Sequence, residues 1–316
     1  MRSVEIHEKT LRIADLDLAA LGHNDVVVAV QAAGINGADL LQLQGFYPAP
    51  SGWPPKIPGL EMAGIVSSVG DQVHEALLGR RVCGIVGGGA QATHCIIPAE
   101  HLISVPEHVS WNEAGGFAEA FITAHDALVT QGHLHEGMRV LISGASGGVG
   151  SAAVQIAHLL GAHVTAVTRS KEHHDALKSL GADVTILLDD VSSIQPVDLV
   201  LELVGARHLT LAMNVLAPFA RVVTIGVSSG GAHMDVDLHV IMSKRATVTG
   251  STLRSRSRDE KAEVIKRVAE TLLPRWNSGD LKVPIARSFA LDDAPAAYEY
   301  FAQPGKFGKV ILRVDQ

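Results

Sequence analysis

The stretch Ala145-Ser-Gly-Gly-Val-Gly150 has the residue types and spacing of an anion cradle. It follows an apolar run at 139–143 and opens a helical pattern at 151–160, so its glycines fall at a strand-to-helix turn. At such a turn Gly147 lets the backbone approach a pyrophosphate, and Gly150 lets the helix pack closely on the strand. The free N–H groups and positive dipole end of the helix attract negative charge. Ala145, Ser146, Gly148 and Val149 complete the turn, whose ligand is expected to be a dinucleotide. An NAD enzyme usually carries Asp or Glu about 20 residues further on, to hold the ribose hydroxyls. Here Thr168, Arg169, Ser170 and Lys171 occupy that place. Two cations and two hydroxyls suit a 2′-phosphate, and a guanidinium can also stack on adenine, so NADPH is the expected cofactor. A solvated basic turn at a helix start is the alternative reading of these four residues.

The elements that must position these groups alternate in kind. Apolar β-rich runs at 139–143, 163–167, 184–187, 197–203, 221–225 and 246–250 enclose helical patterns at 151–160 and 171–180, which predicts a parallel sheet covered by helices. Gly205, Gly226 and Ser228 follow later strands of that series, at the edge where a doubly wound sheet receives its ligand. The first 115 or so residues differ, with short strands such as 25–32 and 61–69 between Gly- and Pro-rich turns, and read as mostly β. A helix at 261–273, strand-like runs at 283–289 and 309–314, and a helix between them at 294–301 complete the expected fold. The expected organisation is one domain from 1–119 and 255–316, with a dinucleotide-binding domain at 120–254.

Composition narrows the class. The chain has 316 residues, 47% apolar and 19% charged, an ordinary globular balance with enough length for two cores. A formal charge of −7 opposes a long phosphate-binding surface, so no nucleic-acid partner is expected. No run of about 18 apolar residues offers a membrane span. With no apolar leader pattern at the start, the expected location is cytoplasmic. Cys83 and Cys95 are the only cysteines, too few for a disulfide framework, and read as small buried hydrophobes, with a reactive or paired thiol as the alternative.

The order of β-rich domain, dinucleotide block and short return resembles the medium-chain dehydrogenase/reductase superfamily over essentially the whole chain. The motifs Gly34-Ile-Asn-Gly-Ala-Asp39, Pro58-Gly-Leu-Glu-Met-Ala-Gly64, Gly79-Arg-Arg-Val82 and Ala145 to Gly150 carry the resemblance. It implies an α/β fold: a Rossmann doubly wound parallel sheet plus a mostly β, GroES-like catalytic domain. Zinc members place Cys and His where this chain has Asn36 and Leu60, which cannot ligate zinc in their stead, so no metal is expected.

Further pieces resemble the zeta-crystallin-like quinone oxidoreductases, and within them the tumour-suppressor-induced branch. They are residues 36–47, Gly88-Gly-Ala-Gln91, Glu119-Ala-Phe-Ile-Thr-Ala124 and Leu253-Arg-Ser-Arg-Ser257. This resemblance implies that Asn36 and Tyr47 lie beside the nicotinamide, that Thr123 contacts its carboxamide, and that Leu253 approaches through its backbone. It places Phe307, Gly308 and Lys309 on the far lip of the cofactor cleft. Neutral donors such as the Tyr47 hydroxyl and Asn36 amide would stabilise negative charge developing on a carbonyl oxygen. Asn36 could instead satisfy a turn, Tyr47 anchor a loop, and Thr123 bond its own helix. The expected activity is NADPH-dependent, metal-free hydride transfer to a quinone by a homodimer. Reduction of an activated double bond in an alkenal or enone, or a non-enzymatic NADPH-binding role, are the alternatives.

Overall fold

The chain forms two compact units, Met1–Ile122 with Leu253–Gln316, and Thr123–Thr252. The computed structural model describes residues 1–227 and 231–314.

In the second unit six strands lie parallel in the order Val184–Leu187, His163–Thr168, Arg139–Ile142, Val197–Glu202, Leu216–Thr224 and Thr247–Gly250. The order reverses between Arg139–Ile142 and Val197–Glu202, the switch point at which such sheets bind ligands. Leu141, Val167, Val200 and Val222 lie in one buried cluster with Leu209 and Met213 of the helix Ala206–Met213. Each fully buried aliphatic side chain of this kind contributes about 1.5–3 kcal/mol. The helical pattern at 171–180 resolves into a 3-10 turn, Lys171–His173, and a helix, His174–Ser179. Ser170 accepts a hydrogen bond from Glu172 N at the start of that turn.

The first unit is built on a seven-stranded sheet whose centre is the strand Asp25–Ile35. Glu61–Val69 and His94–Pro98 pair antiparallel with it, as does Lys309–Arg313, which pairs parallel with Ile285–Ala290. Arg81–Ile85 and Leu102–Ser104 extend the other side. A hairpin, Arg2–His7 with Thr10–Asp15, forms a separate two-stranded sheet. The helix expected over 261–273 runs longer, Arg258–Asn277, and passes through Pro274. Its start is fixed by a capping box, in which Ser257 and Glu260 satisfy each other's backbone N–H groups. Its last turn is held by the fully buried Trp276, which stacks on Phe117 at 3.7 Å between ring centroids. Cys83 and Cys95 are free, buried thiols, and burial pushes Cys95 up to about 12.

Candidate functional site

The glycine turn of the second unit is built as its sequence requires. Ala145 N donates to Val167 O, which ties the turn to the neighbouring strand, and Gly147 N donates to Gly144 O within the turn. A Cβ on Gly150 would lie 2.3 Å from Gly144 O and 2.6 Å from Ala145 Cα, so only glycine permits this approach of helix to turn. Gly147 differs. A Cβ there would meet only Gly144 O, at 3.4 Å, and the backbone is at φ −79°. The polypeptide itself therefore makes no demand for glycine at this position. The space left open faces the start of the helix Gly148–Leu159, which has no side-chain cap. Its first N–H groups have no partner within the helix. Absence of bulk, absence of a cap and the positive end of the dipole together fit a pyrophosphate.

Thr168 is buried at the end of its strand, with its Oγ1 3.5 Å from Ser146 Oγ and 3.4 Å from His173 Nδ1. Arg169 and Lys171 beyond it are exposed and have no ion pair among the described residues. Gly205 has φ 131°, a conformation open to glycine, and caps the helix Ala206–Met213. Its N–H, and that of Val204, donate to Glu202 Oε1 at 2.8 and 2.6 Å. Gly226 sits where a Cβ would come 2.9 Å from Leu203 O. Ser228 lies outside the described residues. Thr123 is buried on the helix Ala118–His125, and its Oγ1 has no hydrogen-bond partner among the described residues. The bond to its own preceding turn, open to a helical threonine, is not made. An unmet buried hydroxyl costs about 1–3 kcal/mol unless another group supplies the partner.

In the first unit the sequence-expected residues meet partners that the sequence did not announce. Asn36 begins the helix Gly37–Gln44, and its N–H donates to Asp39 Oδ2 at 2.8 Å. Asp39 Oδ1 accepts from Gly59 N at 3.0 Å, joining the Asn36 turn to the turn before Glu61. Burial pushes Asp39 up to about 6 against these two backbone donors. The Asn36 amide is held at both ends. Lys309 Nζ donates to its Oδ1 at 2.6 Å, and its Nδ2 donates to Glu61 Oε1 at 3.0 Å. Lys309 also pairs directly with Glu61 Oε1. Glu61 Oε2 takes the N–H of Glu119 at 2.9 Å. Gly34 makes room for this cluster, since a Cβ there would fall 2.3 Å from Glu61 Oε1. Lys309, placed by resemblance on a cleft lip, turns its ammonium into the interior. Gly308 before it has φ 88° and packs against Pro284 O, and Phe307 is half-buried.

Tyr47 is half-buried and bracketed by Arg254. Arg254 Nη1 donates to Tyr47 O at 2.8 Å, and its guanidinium lies 5.0 Å from the Tyr47 ring centroid. The same side chain donates to Gly87 O at 2.9 Å and to Gln42 Oε1. Leu253, next to it, is buried. Arg254 O accepts from Lys261 Nζ at 2.9 Å. Sequence reading missed Glu61, Glu119, Arg254 and Lys309 as one group. The visible signal was a pair of buried-type motifs, each carrying one carboxylate. Among the described residues no group of three or more His, Cys, Asp or Glu is arranged to hold a metal ion. No helix there is long and apolar enough to cross a membrane.

Two family models match, the alcohol dehydrogenase GroES-like domain over residues 22–136 and zinc-binding dehydrogenase over 148–270. Among curated proteins the chain is 30% identical over 305 residues to a phenolphthiocerol/phthiocerol polyketide synthase subunit of Mycobacterium tuberculosis. That match covers 93% of this chain but 14% of the relative's length. It is 29% identical to the quinone oxidoreductase-like protein 2 homolog of Nematostella vectensis, covering 94% of this chain and 83% of that one. The solved quinone oxidoreductase of Thermus thermophilus, a structure that includes an NADPH complex, superposes with TM-score 0.85 at 29% identity, over 99% of this chain and 100% of that one. A solved NAD-dependent alcohol dehydrogenase superposes equally well, with TM-score 0.87 at 25% identity over the whole of both chains.

Proposed function

As the chain belongs to the medium-chain dehydrogenase/reductase superfamily, we propose that it is a metal-free, NADPH-dependent reductase of quinones. The observation that carries the dinucleotide reading is the glycine turn: Gly147 leaves a space that the polypeptide does not need, beside a helix start with no cap. Ala145 to Gly150 hold the pyrophosphate, Arg169 and Lys171 the 2′-phosphate with Thr168 and Ser170 shaping their turn, and Gly205, Gly226 and Ser228 border the switch point. Thr123 Oγ1 gives its unmet hydrogen bond to the carboxamide of the nicotinamide. Backbone groups of Leu253 and of residues 307–309 complete the cofactor's surroundings.

When bound, the nicotinamide supplies a hydride to the acceptor. Tyr47 O–H and the second Asn36 Nδ2 hydrogen would be the donors to the oxygen on which charge develops. Lys309 and Glu61 hold the Asn36 amide in a single orientation, so that its remaining hydrogen would be offered without reorganisation. Asn36 and Leu60 supply no thiolate or imidazole at the positions from which zinc members bind their metal, so neutral donors and the conjugation of the quinone carry the charge. A curated relative and a solved structure named as quinone oxidoreductases support the acceptor class.

The assembly that fits is a homodimer joined through the second unit. Among the described residues the strand Thr247–Gly250 ends its sheet with an unpaired edge, and Phe219, Leu238, Met242 and Val248 near that edge are exposed. An edge strand with exposed apolar neighbours calls for a cover.

Purified protein supplied with NADPH should reduce small ortho- and para-quinones faster than enones or alkenals, by product analysis. Faster reduction of the activated double bond would transfer the proposal to that acceptor class. Tight NADPH binding with no acceptor turned over would leave only a binding role.

A further inference from the structure

The segment that carries Tyr47 leaves the helix Gly37–Gln44 at Gly45, whose φ is 86°, and the Tyr47 N–H still reaches back to Leu41 O at 3.3 Å. Beyond it, Pro48, Pro50, Pro54 and Pro55 have no N–H to give, so no continuous backbone ladder can form along the loop. Side chains remote in sequence take over. Arg254 is buried, and its guanidinium meets neutral acceptors on three segments: Nη1 donates to Tyr47 O at 2.8 Å, Nε to Gly87 O at 2.9 Å, and Nη2 to Gln42 Oε1. The same group lies 5.0 Å from the centroid of the Tyr47 ring, within cation–π range. These partners are themselves fixed. Gln42 Nε2 donates to Pro55 O at 3.2 Å, and Gly87 packs so closely on Trp53 that a Cβ would fall 2.4 Å from Trp53 Cδ1. Lys261 Nζ, on the helix Arg258–Asn277, donates to Arg254 O at 2.9 Å. Arg254 therefore ties the helix end, the Tyr47 loop and the Gly87 turn together, and touches both the backbone and the ring of Tyr47.

Stability alone does not ask for a cation here. A buried charge is costly to desolvate, and an apolar side chain of similar size fills such a site without that cost. A planar fork with donors aimed in several directions fixes a loop in one placement, and lysine cannot reproduce it. We propose that Arg254 is a positioning residue for the reaction, holding Tyr47 in the placement from which its hydroxyl serves the acceptor; this rests on the reductase reading, in which Tyr47 is a donor to the acceptor oxygen. A donor already in place needs no reorganisation as charge develops, whereas a loop ordered anew in each turnover does.

A double-mutant cycle in kcat, with NADPH and a para-quinone, separates positioning from packing. Arg254→Lys keeps the charge and loses the fork, and should lower kcat by about 100-fold, as a misplacement of about 1 Å does, with the KM for NADPH unchanged. Tyr47→Phe should also slow the enzyme, and adding Arg254→Lys to it should cost nothing more, because the hydroxyl to be positioned is gone. Gln42→Met leaves the guanidinium with one acceptor fewer. It should slow wild type to a smaller extent and Tyr47→Phe not at all, and it carries the cycle if Arg254→Lys does not fold. A second readout needs no turnover: in magnetic resonance spectra of protein with 13C-labelled tyrosine, the Tyr47 ring signal is assigned by its loss in Tyr47→Phe. It should be displaced from the free-tyrosine position in wild type and move towards that position in Arg254→Lys. Losses in kcat that multiply in the double variants, or Tyr47→Phe as fast as wild type, overturn the positioning role while the reductase reading stands. So does a Tyr47 signal already at the free-tyrosine position in wild type. Wild type inert towards every acceptor overturns both, even if the Tyr47 ring is fixed.

Discussion

Replacing Lys309 by Met removes the ammonium that holds the interior of the first unit. Lys309 is 3% exposed and Glu61 fully buried, so solvent cannot take the place of the lost cation. The variant leaves the Glu61 carboxylate with the Asn36 amide and the Glu119 N–H as its donors, and strips Asn36 Oδ1 of its 2.6 Å partner. Breaking a buried ion pair from one side costs about 3–5 kcal/mol, because the remaining charge is stranded. For a unit of this size each kcal/mol moves the melting temperature by about 2–4 °C, so the drop is roughly 6–20 °C. Thermal unfolding followed by circular dichroism reads it directly. Glu61→Gln in the Lys309→Met background removes the stranded charge and should recover part of the loss, giving a coupling of at least about 1 kcal/mol between the two sites. A single variant that melts within about 1 °C of wild type, or two variants whose effects simply add, would refute the buried pair as the organiser of this site.

Four further outcomes follow from the same structure. Arg169→Ala should weaken NADPH binding by about 10- to 150-fold, the loss of one charge-assisted hydrogen bond of about 1.5–3 kcal/mol. NADH binding should be unchanged, and fluorescence titration of both cofactors checks the contrast. Gly147→Ala should fold normally and bind NADPH poorly, because its Cβ enters open space. Gly150→Ala drives a Cβ into Gly144 O and should lower the melting temperature. Met242→Asp with Val248→Lys should convert the proposed homodimer to a monomer in light scattering after gel filtration, and a wild type that is already monomeric contradicts that assembly.

The parallel sheet was readable because each of its strands is a short apolar run closed by a glycine turn or a helical pattern. The strand Glu61–Val69 was placed to the residue for the same reason. The hairpin Arg2–His7/Thr10–Asp15 gave no such signal. Its turn puts Glu8 and Lys9 at φ 49° and 62°, positions that usually announce themselves as Asn or Gly. The helix expected over 261–273 continues through Pro274, and beyond it Trp276 is stacked on Phe117. In the site, the cofactor turn is local in sequence, whereas the buried cluster is assembled across 248 residues between Glu61 and Lys309. A lysine at the start of a strand reads as an exposed end, and only the fold reveals that it is the counter-charge to Glu61. Arg254 likewise reads as part of a basic run, and its three acceptors lie on segments remote in sequence.

The proposed hydride transfer from NADPH to a quinone at this site is tested most directly by anaerobic single-turnover mixing of enzyme-bound NADPH with a para-quinone, followed by absorbance of the reduced nicotinamide. Stoichiometric oxidation of the bound cofactor with one hydroquinone formed per NADPH, slowed when the transferred hydrogen is deuterium, is the expected result. NADPH that stays bound and fully reduced in the presence of quinone would contradict it.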